Sequence, residues 1–313
     1  MLAILSITFP IYVAMALGWG AVRRGVFKPA DMPVLGGYVL NIALPALLFK
    51  AVATRDVHEV LDLTYMVVFM AGALATIAIA YAVFTASGVS PTRRAVGVMG
   101  TTCPNSGFIG YPVMLLAFPE IAGQVLALNM LVENFVIIPI CLALMEAAKG
   151  GEVRLLAKLR NILLGVVKRP MVLALGAGLV VSLIGIEMPA PVLRLFDMLA
   201  ASASALALFV IGGSLVGVPL RGNWVVSVQV ALGKLILHPV MVALALMAAV
   251  ALGLPPLAPE LAAAVVISAA VPMFAIYALF AQELGHEGMA SIAQILATTG
   301  AFFTLTVVLL ILL

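Results

Sequence analysis

The chain has 313 residues, of which 65% are hydrophobic and only 9% are charged, and its mean hydropathy is +1.27. A soluble domain is closer to half apolar and a quarter charged, so this composition excludes a water-soluble enzyme. The net charge of +3 does not indicate a nucleic-acid partner, because basic residues in a membrane chain set its orientation instead. The sequence therefore predicts an integral membrane protein whose surroundings are the lipid bilayer.

Apolar runs of membrane-spanning length follow one another along the whole chain. A hydrocarbon core of about 30 Å takes roughly 20 helical residues to cross. The first run, residues 2–22, has no Lys or Arg before its end, so it is predicted as a span and not as a cleaved signal peptide. Two runs each contain one charged residue, Glu133 in the fifth and Lys234 in the eighth. We predict an all-α membrane protein with ten transmembrane helices.

Basic residues concentrate in alternate connections between the predicted spans. Twelve Lys and Arg residues follow spans one, three, five and seven, and only three lie near the opposite face. Because cytoplasmic loops carry the excess of basic residues, the linker 149–169 is predicted to be cytoplasmic. Both termini are then predicted to be non-cytoplasmic. We expect the protein in the plasma membrane, as a bacterial inner-membrane protein.

Helix-disturbing residues recur at a fixed offset. Pro91 and Pro104 of span four are related to Pro259 and Pro272 of span nine by one offset of 168 residues. With five spans in each half, two similar halves would run in opposite directions through the membrane. Coincidence in a chain with 18 Pro and 27 Gly is the alternative.

This pattern predicts three segments. Residues 1–148 form a first five-helix repeat, residues 149–169 a basic cytoplasmic linker, and residues 170–313 a second, inverted five-helix repeat. Helices four and nine are predicted to be broken. Irregular backbone inside a membrane must be buried in protein or line a watery cavity, so the breaks are candidate binding sites.

The first break is rich in polar residues. Two prolines and two glycines in residues 101–112 disfavour a regular helix. Half-helix ends carry unpaired backbone groups and partial dipole charges, and their N-termini attract anions. A proline kink that only serves packing is the alternative. The predicted substrate site consists of Asn105, Thr102, Ser106, Pro104, Pro272, Ser268 and Tyr277.

Two motifs resemble a known family. Residues 41–49 read Asn-Ile-Ala-Leu-Pro-Ala-Leu-Leu-Phe and residues 105–112 read Asn-Ser-Gly-Phe-Ile-Gly-Tyr-Pro. With the ten-span layout, they are similar to the auxin efflux carrier family, which includes the plant PIN auxin exporters and bacterial carriers described as malonate transporters. The resemblance implies a scaffold domain, a transport domain, elevator-type alternating access, and helices four and nine that cross at the site. Asn41 of the first motif is added to the predicted substrate-binding residues.

The second break departs from the family pattern. The family often has more polar residues near this break than residues 273–275, Met-Phe-Ala, supply. This departure leaves the substrate open and does not affect the predicted fold.

Three ionisable residues lie inside predicted spans. Such residues are costly in a membrane and are functional candidates for that reason. Glu133 is a candidate proton carrier, and Lys234 could attract an anion or change partners between states. Lys234 and His238 are one helical turn apart and share a face. A buried ion pair, a snorkelling Lys and a packing His are the alternatives.

These features favour a secondary active transporter of a small organic anion, a mono- or dicarboxylate of malonate-like or auxin-like kind. An ion channel and an intramembrane enzyme are the alternatives, but the scattered polar residues form no catalytic set, so we expect no enzymatic activity. Cys103 and Cys141 lie in apolar stretches and predict no metal site. No cofactor is expected, and coupling to a proton or a sodium gradient is open, as is a homodimer.

Overall fold

The computed structural model of the protein describes residues 2–55, 61–150, 160, 164–218 and 221–312. Over these residues the regular structure is helical and contains no named β-strand, which confirms the predicted all-α class. In chain order the helices are α1 (Leu2–Arg23), α2 (Asp31–Ala53), α3 (Leu63–Ala86), α4 (Pro91–Thr102), α5 (Ser106–Ala117), α6 (Ala122–Ala147), α7 (Pro170–Ile184), α8 (Ala190–Ser214), α9 (Trp224–Ala251), α10 (Pro259–Ala270), α11 (Tyr277–Gln282) and α12 (Glu287–Leu312).

Seven of the described helices, namely α1, α2, α3, α6, α8, α9 and α12, are long and apolar enough to cross a membrane. Three shorter apolar helices, α5, α7 and α10, accompany them. The chain is therefore an integral membrane protein, as predicted. Ten spans in two inverted repeats and the orientation of the termini stay predictions. Of the predicted basic linker, residues 151–159 and 161–163 lie outside the described residues, Arg154 and Lys158 among them.

The two interruptions predicted from the sequence are present. Helix α4 ends at Thr102, and Cys103 has extended backbone with φ −75° and ψ 110°. Helix α10 ends at Ala270, and Val271 is likewise extended, with φ −69° and ψ 152°. Each extended residue directly precedes a proline, whose ring disfavours helical backbone at the residue before it. The prolines therefore end the helices where the sequence pattern predicted.

Four of the helices described above contain a widened π-helical turn just before a proline. The pairs are Val39–Ala43 with Pro45, Ser106–Gly110 with Pro112, Glu133–Ile137 with Pro139, and Gly233–Leu237 with Pro239. A proline has no N–H, and its ring clashes with the carbonyl four residues earlier. The wider turn accommodates this, since the His238 N–H bonds to the Gly233 carbonyl, five residues back. The turns also place Glu133 and Lys234 in non-α backbone, which recurs at functional sites.

Close helix contacts group part of the chain into a first compact unit, made of Met1–Leu63, Ser106–Met130 and Val166–Val218. Within it, α1 and α8 approach until their backbones touch. Gly18 lies against the backbone of Phe209, where a side chain would collide with it. Small residues of this kind let membrane helices pack closely.

The second compact unit consists of Thr64–Asn105, Leu131–Gly165 and Pro219–Leu313. Within it, Gly72 of α3 lies so close to α9 that a side-chain carbon there would stand 2.6 Å from the Cα of Val242. Each unit takes segments from both halves of the chain. The repeat boundaries at 148 and 170 describe a different division, and they stay a prediction.

Candidate functional site

The two interruptions lie against each other in the second unit. The Asn105 N–H donates to the Pro272 carbonyl oxygen at 2.9 Å, and the Phe274 N–H donates to the Cys103 carbonyl oxygen at 3.2 Å. Pro104 and Met273 face each other in this short antiparallel bridge. The bonds satisfy polar groups that the broken helices would otherwise leave unpaired in an apolar interior. Chain segments far apart in sequence thus meet at their prolines.

The bridge decides which backbone groups could bind a ligand. The amides of Asn105 and Phe274 are already engaged, so the backbone at the prolines is less available than the sequence suggested. Helix α5 begins directly after Asn105, and the first N–H groups of a helix have no acceptor within it. An anion binding there would also meet the positive end of the helix dipole.

Thr101 and Thr102 donate their hydroxyls to the preceding turn of α4. The acceptors are the carbonyl oxygens of Gly97, at 2.9 Å, and Val98, at 3.0 Å. In this conformation the Thr102 hydroxyl cannot also donate to a carboxylate. A substrate role for Thr102 therefore requires rotation about its χ1 bond or a donor on the ligand.

Asn105 and Ser106 are both buried, with 4% and 2% of their surface exposed. Ser268 lies on the last turns of α10, and its hydroxyl bonds to that of Tyr65 on α3 at 3.2 Å. Sequence reasoning missed Tyr65, because nothing in an uncharged run distinguishes a tyrosine that meets a residue 203 positions away. The bond fixes the end of α10 beside the second break.

Tyr277 is the first residue of α11 and is completely buried. Its hydroxyl has no hydrogen-bond partner within the described residues. The ring lies against Gly100 of α4, where a side-chain carbon would stand 2.5 Å from the hydroxyl oxygen. Gly100, which the sequence analysis did not single out, leaves the space that this ring occupies.

Asn41 belongs to the first unit and lies in the π-helical turn of α2. Its side-chain amide nitrogen donates to the Gly37 carbonyl oxygen at 2.7 Å, one turn earlier in the same helix. A substrate role for Asn41 stays a prediction.

The ionisable residues of α6 and α9 lie in the second unit. Lys234 is fully buried; its Nζ donates to the Ala269 carbonyl oxygen at 2.6 Å and lies within hydrogen-bonding distance, 2.8 Å, of His238 Nδ1. His238 is also fully buried, with its ring 6.2 Å from that of Phe69. Glu133 is buried within electrostatic range of Lys234.

Cys103 and Cys141 are buried free thiols, and the Cys103 thiol donates to the Cys141 sulfur at 3.8 Å. Over the described part of the chain, no group of three or more His, Cys, Asp or Glu side chains could hold a metal ion.

Comparison with known proteins assigns the chain to a family. Residues 3–311 match the family described as "Membrane transport protein". The chain belongs to this family. It is the auxin efflux carrier family that the motifs at residues 41–49 and 105–112 indicated.

Similar proteins carry transporter names. One from Rhizobium meliloti (strain 1021), named "Putative malonate transporter", is 30% identical over 256 residues, which are 79% of this chain and 77% of that protein. The protein named "Uncharacterized transporter YfdV" from Escherichia coli (strain K12) is 28% identical over 211 residues, 65% of this chain and 66% of that protein. The family and these names are those of membrane transporters, not enzymes.

Proposed function

We propose that this membrane transporter is a secondary carrier of a small organic anion, a mono- or dicarboxylate, which binds where the two interrupted helices meet. The observation that carries the proposal is the backbone bridge between residues 103–105 and 272–274. Non-helical backbone within a membrane chain is tolerated where it is buried in protein or lines a polar cavity. In carriers built from broken helices, such a crossing is the place for the substrate.

The first break supports an anion as the substrate. Asn105 can offer two N–H donors and one carbonyl acceptor, and α5 starts with the positive end of its dipole at the next residue, Ser106. These donors carry no full charge. They suit a carrier because the ligand must also leave, and a desolvated lysine–carboxylate pair could hold it too firmly.

The second break contributes the surrounding surface. The buried hydroxyl of Tyr277 lacks a partner in the described structure, and such a donor is costly unless a ligand or water meets it. Thr102 and Ser268 hold hydroxyls near the two breaks, and Pro104 and Pro272 shape the crossing. Asn41 stays among the proposed substrate-binding residues because it belongs to the family motif at residues 41–49.

The substrate class follows from the chemistry of these donors together with one relative. The name of the Rhizobium meliloti protein refers to malonate, a three-carbon dicarboxylate. Malonate offers one carboxylate to Asn105 and the start of α5, and a second one to a further donor. We therefore place malonate-like dicarboxylates first, with monocarboxylates such as auxin as the second class.

The proposal includes the architecture and the transport cycle. Ten spans form two inverted repeats, and the offset of 168 residues that relates Pro104 to Pro272 supports this symmetry. The carrier works by elevator-type alternating access, with both termini outside the cytoplasm. Glu133, buried in the π-helical turn of α6, carries the proton if transport is coupled to protons.

A counterflow assay tests the function. Purified protein is reconstituted into liposomes loaded with unlabelled malonate, and entry of labelled malonate is followed alongside a panel of mono- and dicarboxylates. We expect entry of label well above that in protein-free liposomes, with the label recovered unchanged. Entry of labelled malonate that the unlabelled malonate inside the liposomes does not accelerate would indicate a channel. Chemically altered label would indicate an enzyme. Either result contradicts the proposal.

A further inference from the structure

Lys234 is a buried basic residue of the second unit whose charge the proposed anion site does not use. Its Nζ donates to the carbonyl oxygen of Ala269 at 2.6 Å. Ala269 is the last residue but one of α10, so its carbonyl has lost the helical donor that the break at Pro272 removed. The ammonium group of Lys234 therefore caps the end of the broken helix from a neighbouring helix.

Three described groups near Nζ favour a positive charge at this point. The end of α10 carries the partial negative charge of the helix dipole. His238 offers Nδ1 as an acceptor at 2.8 Å, and the carboxylate of Glu133 lies within electrostatic range. Burial disfavours the ammonium ion, and these partners offset part of its desolvation.

A protonated Lys234 also determines the tautomer of His238. An ammonium group can only donate, so Nδ1 accepts and the ring proton lies on Nε2. Nε2 has no hydrogen-bond partner within the described residues. His238 therefore acts on Lys234 as a neutral acceptor and adds no second charge to the buried cluster.

Ion-coupled carriers with broken helices bind their coupling cation at half-helix C-termini and unwound carbonyls. Lys234 already places a cation on such a carbonyl. A sodium ion bound to the same oxygen would lie within a few ångströms of Nζ, and two like charges that close repel strongly in a buried site. We propose that the ammonium group of Lys234 is a built-in cation at the crossing, so that anion transport by this carrier requires no sodium ion.

The inference rests on the proposed anion transport. The first experiment distinguishes a failure of the sodium-independence inference from a failure of the anion-transport function. Malonate counterflow into liposomes is measured with all sodium replaced by N-methylglucamine, and again in sodium chloride. We expect equal rates. Counterflow that needs sodium would overturn the built-in cation and leave the anion function intact, whereas no counterflow in either medium would count against the anion function.

A second experiment tests Lys234 itself and includes a readout that needs no substrate. Lys234→Ala should lower counterflow at least about tenfold, because a charge-assisted hydrogen bond at the crossing is lost. The deleted atoms correspond to propylammonium. Propylammonium chloride should therefore raise the melting temperature of Lys234→Ala and restore part of its counterflow, whereas sodium chloride should do neither.

Ser227→Ala is the matched control, because Ser227 also lies on α9 and its hydroxyl donates to a backbone carbonyl of another helix, that of Met289, at 2.8 Å. Propylammonium should not affect this variant. Wild-type counterflow in Lys234→Ala, or equal responses of both variants to propylammonium, would overturn the proposal.

If Lys234→Ala does not insert into the membrane, Lys234→Arg and Lys234→Met replace it. Arginine keeps the charge and methionine keeps much of the volume without charge. The proposal requires counterflow to be higher in the arginine variant, and equal counterflow in the two would overturn it.

Discussion

The two interruptions share a backbone design and differ in chemistry. Each contains a proline at the equivalent position, and each donates one N–H and accepts one at the bridge. The first break spans only residues 103–105 between α4 and α5 and has polar side chains around it. The second, residues 271–276, is twice as long and apolar, and a lysine from another helix caps the helix before it.

The offset of 168 residues makes this contrast specific, because it relates Asn105 to Met273. One bridge partner thus has a side chain that can bind a polar ligand, and the other has an apolar one. On the proposed function, the backbone symmetry shapes the crossing, and most of the polar side chains that select the ligand lie at the first break. Four substitutions or conditions test this division.

The largest effect on stability is expected where the two breaks pack together. Gly100→Ala adds a carbon that would stand 2.5 Å from the Tyr277 ring, so the helices around both breaks must shift. We expect a loss of roughly 1–3 kcal/mol in the free energy of unfolding, as for overpacked cores. The loss of stability is measured by thermal melting in detergent, with size-exclusion chromatography after heating as the readout.

Gly176→Ala provides the control, because a side-chain carbon at Gly176 in α7 meets nothing within 4 Å. Here the change should stabilise the helix by up to about 1 kcal/mol through helix propensity. If the two alanine variants showed the same change in stability, the packing of Tyr277 on Gly100 would not contribute to the stability of the protein.

The next effect concerns selectivity at the first break. Asn105→Ala should weaken malonate binding by roughly 1.5–3 kcal/mol, the usual cost of losing a hydrogen bond to a charged group. The apparent transport constant would rise about tenfold to a hundredfold or more. Asn105→Met copies the residue of the second break and should do the same. Unchanged kinetics at normal expression would remove the Asn105 side chain from the site.

Sequence reasoning located the breaks because a proline constrains its own backbone and that of the preceding residue, whatever the fold. It also identified Lys234 as a functional candidate, since a charge within a span is costly. It could not identify Ala269 as the partner of Lys234, because any carbonyl at a helix end could accept the bond. The Tyr65–Ser268 bond was equally unpredictable, since it joins two unremarkable residues through the tertiary fold.

Two tyrosines separate a binding role from a structural one. Tyr277→Phe removes a hydroxyl without a described partner, so the melting temperature should hardly change while the apparent transport constant for malonate rises severalfold. Tyr65→Phe removes the bond to Ser268 and should cost about 0.5–1.5 kcal/mol of stability. The opposite pattern would make Tyr277 structural and exclude it from the anion site.

The smallest effect concerns pH and the ends of the segments that carry the breaks. Thr92 lies in the first turn of α4, which leads to the first break, and its hydroxyl bonds to Nε2 of His286 at 3.0 Å. His286 follows α11, the helix that leaves the second break, and directly precedes α12. Burial, and then the positive charge of Arg93, lower the pKa of His286 below its ordinary value of 6.5.

The folded protein therefore favours neutral His286. Its contribution to stability is present in full above pH 6.5 and is lost as the pH falls from 6.5 through the lowered pKa. The side chain is partly exposed, so we expect a fall in melting temperature of only about 1 °C across this window. His286→Gln cannot titrate and should lack this part of the pH dependence in thermal melts between pH 8 and pH 5. If both proteins lost the same stability on acidification, the link between the two segments would not respond to pH.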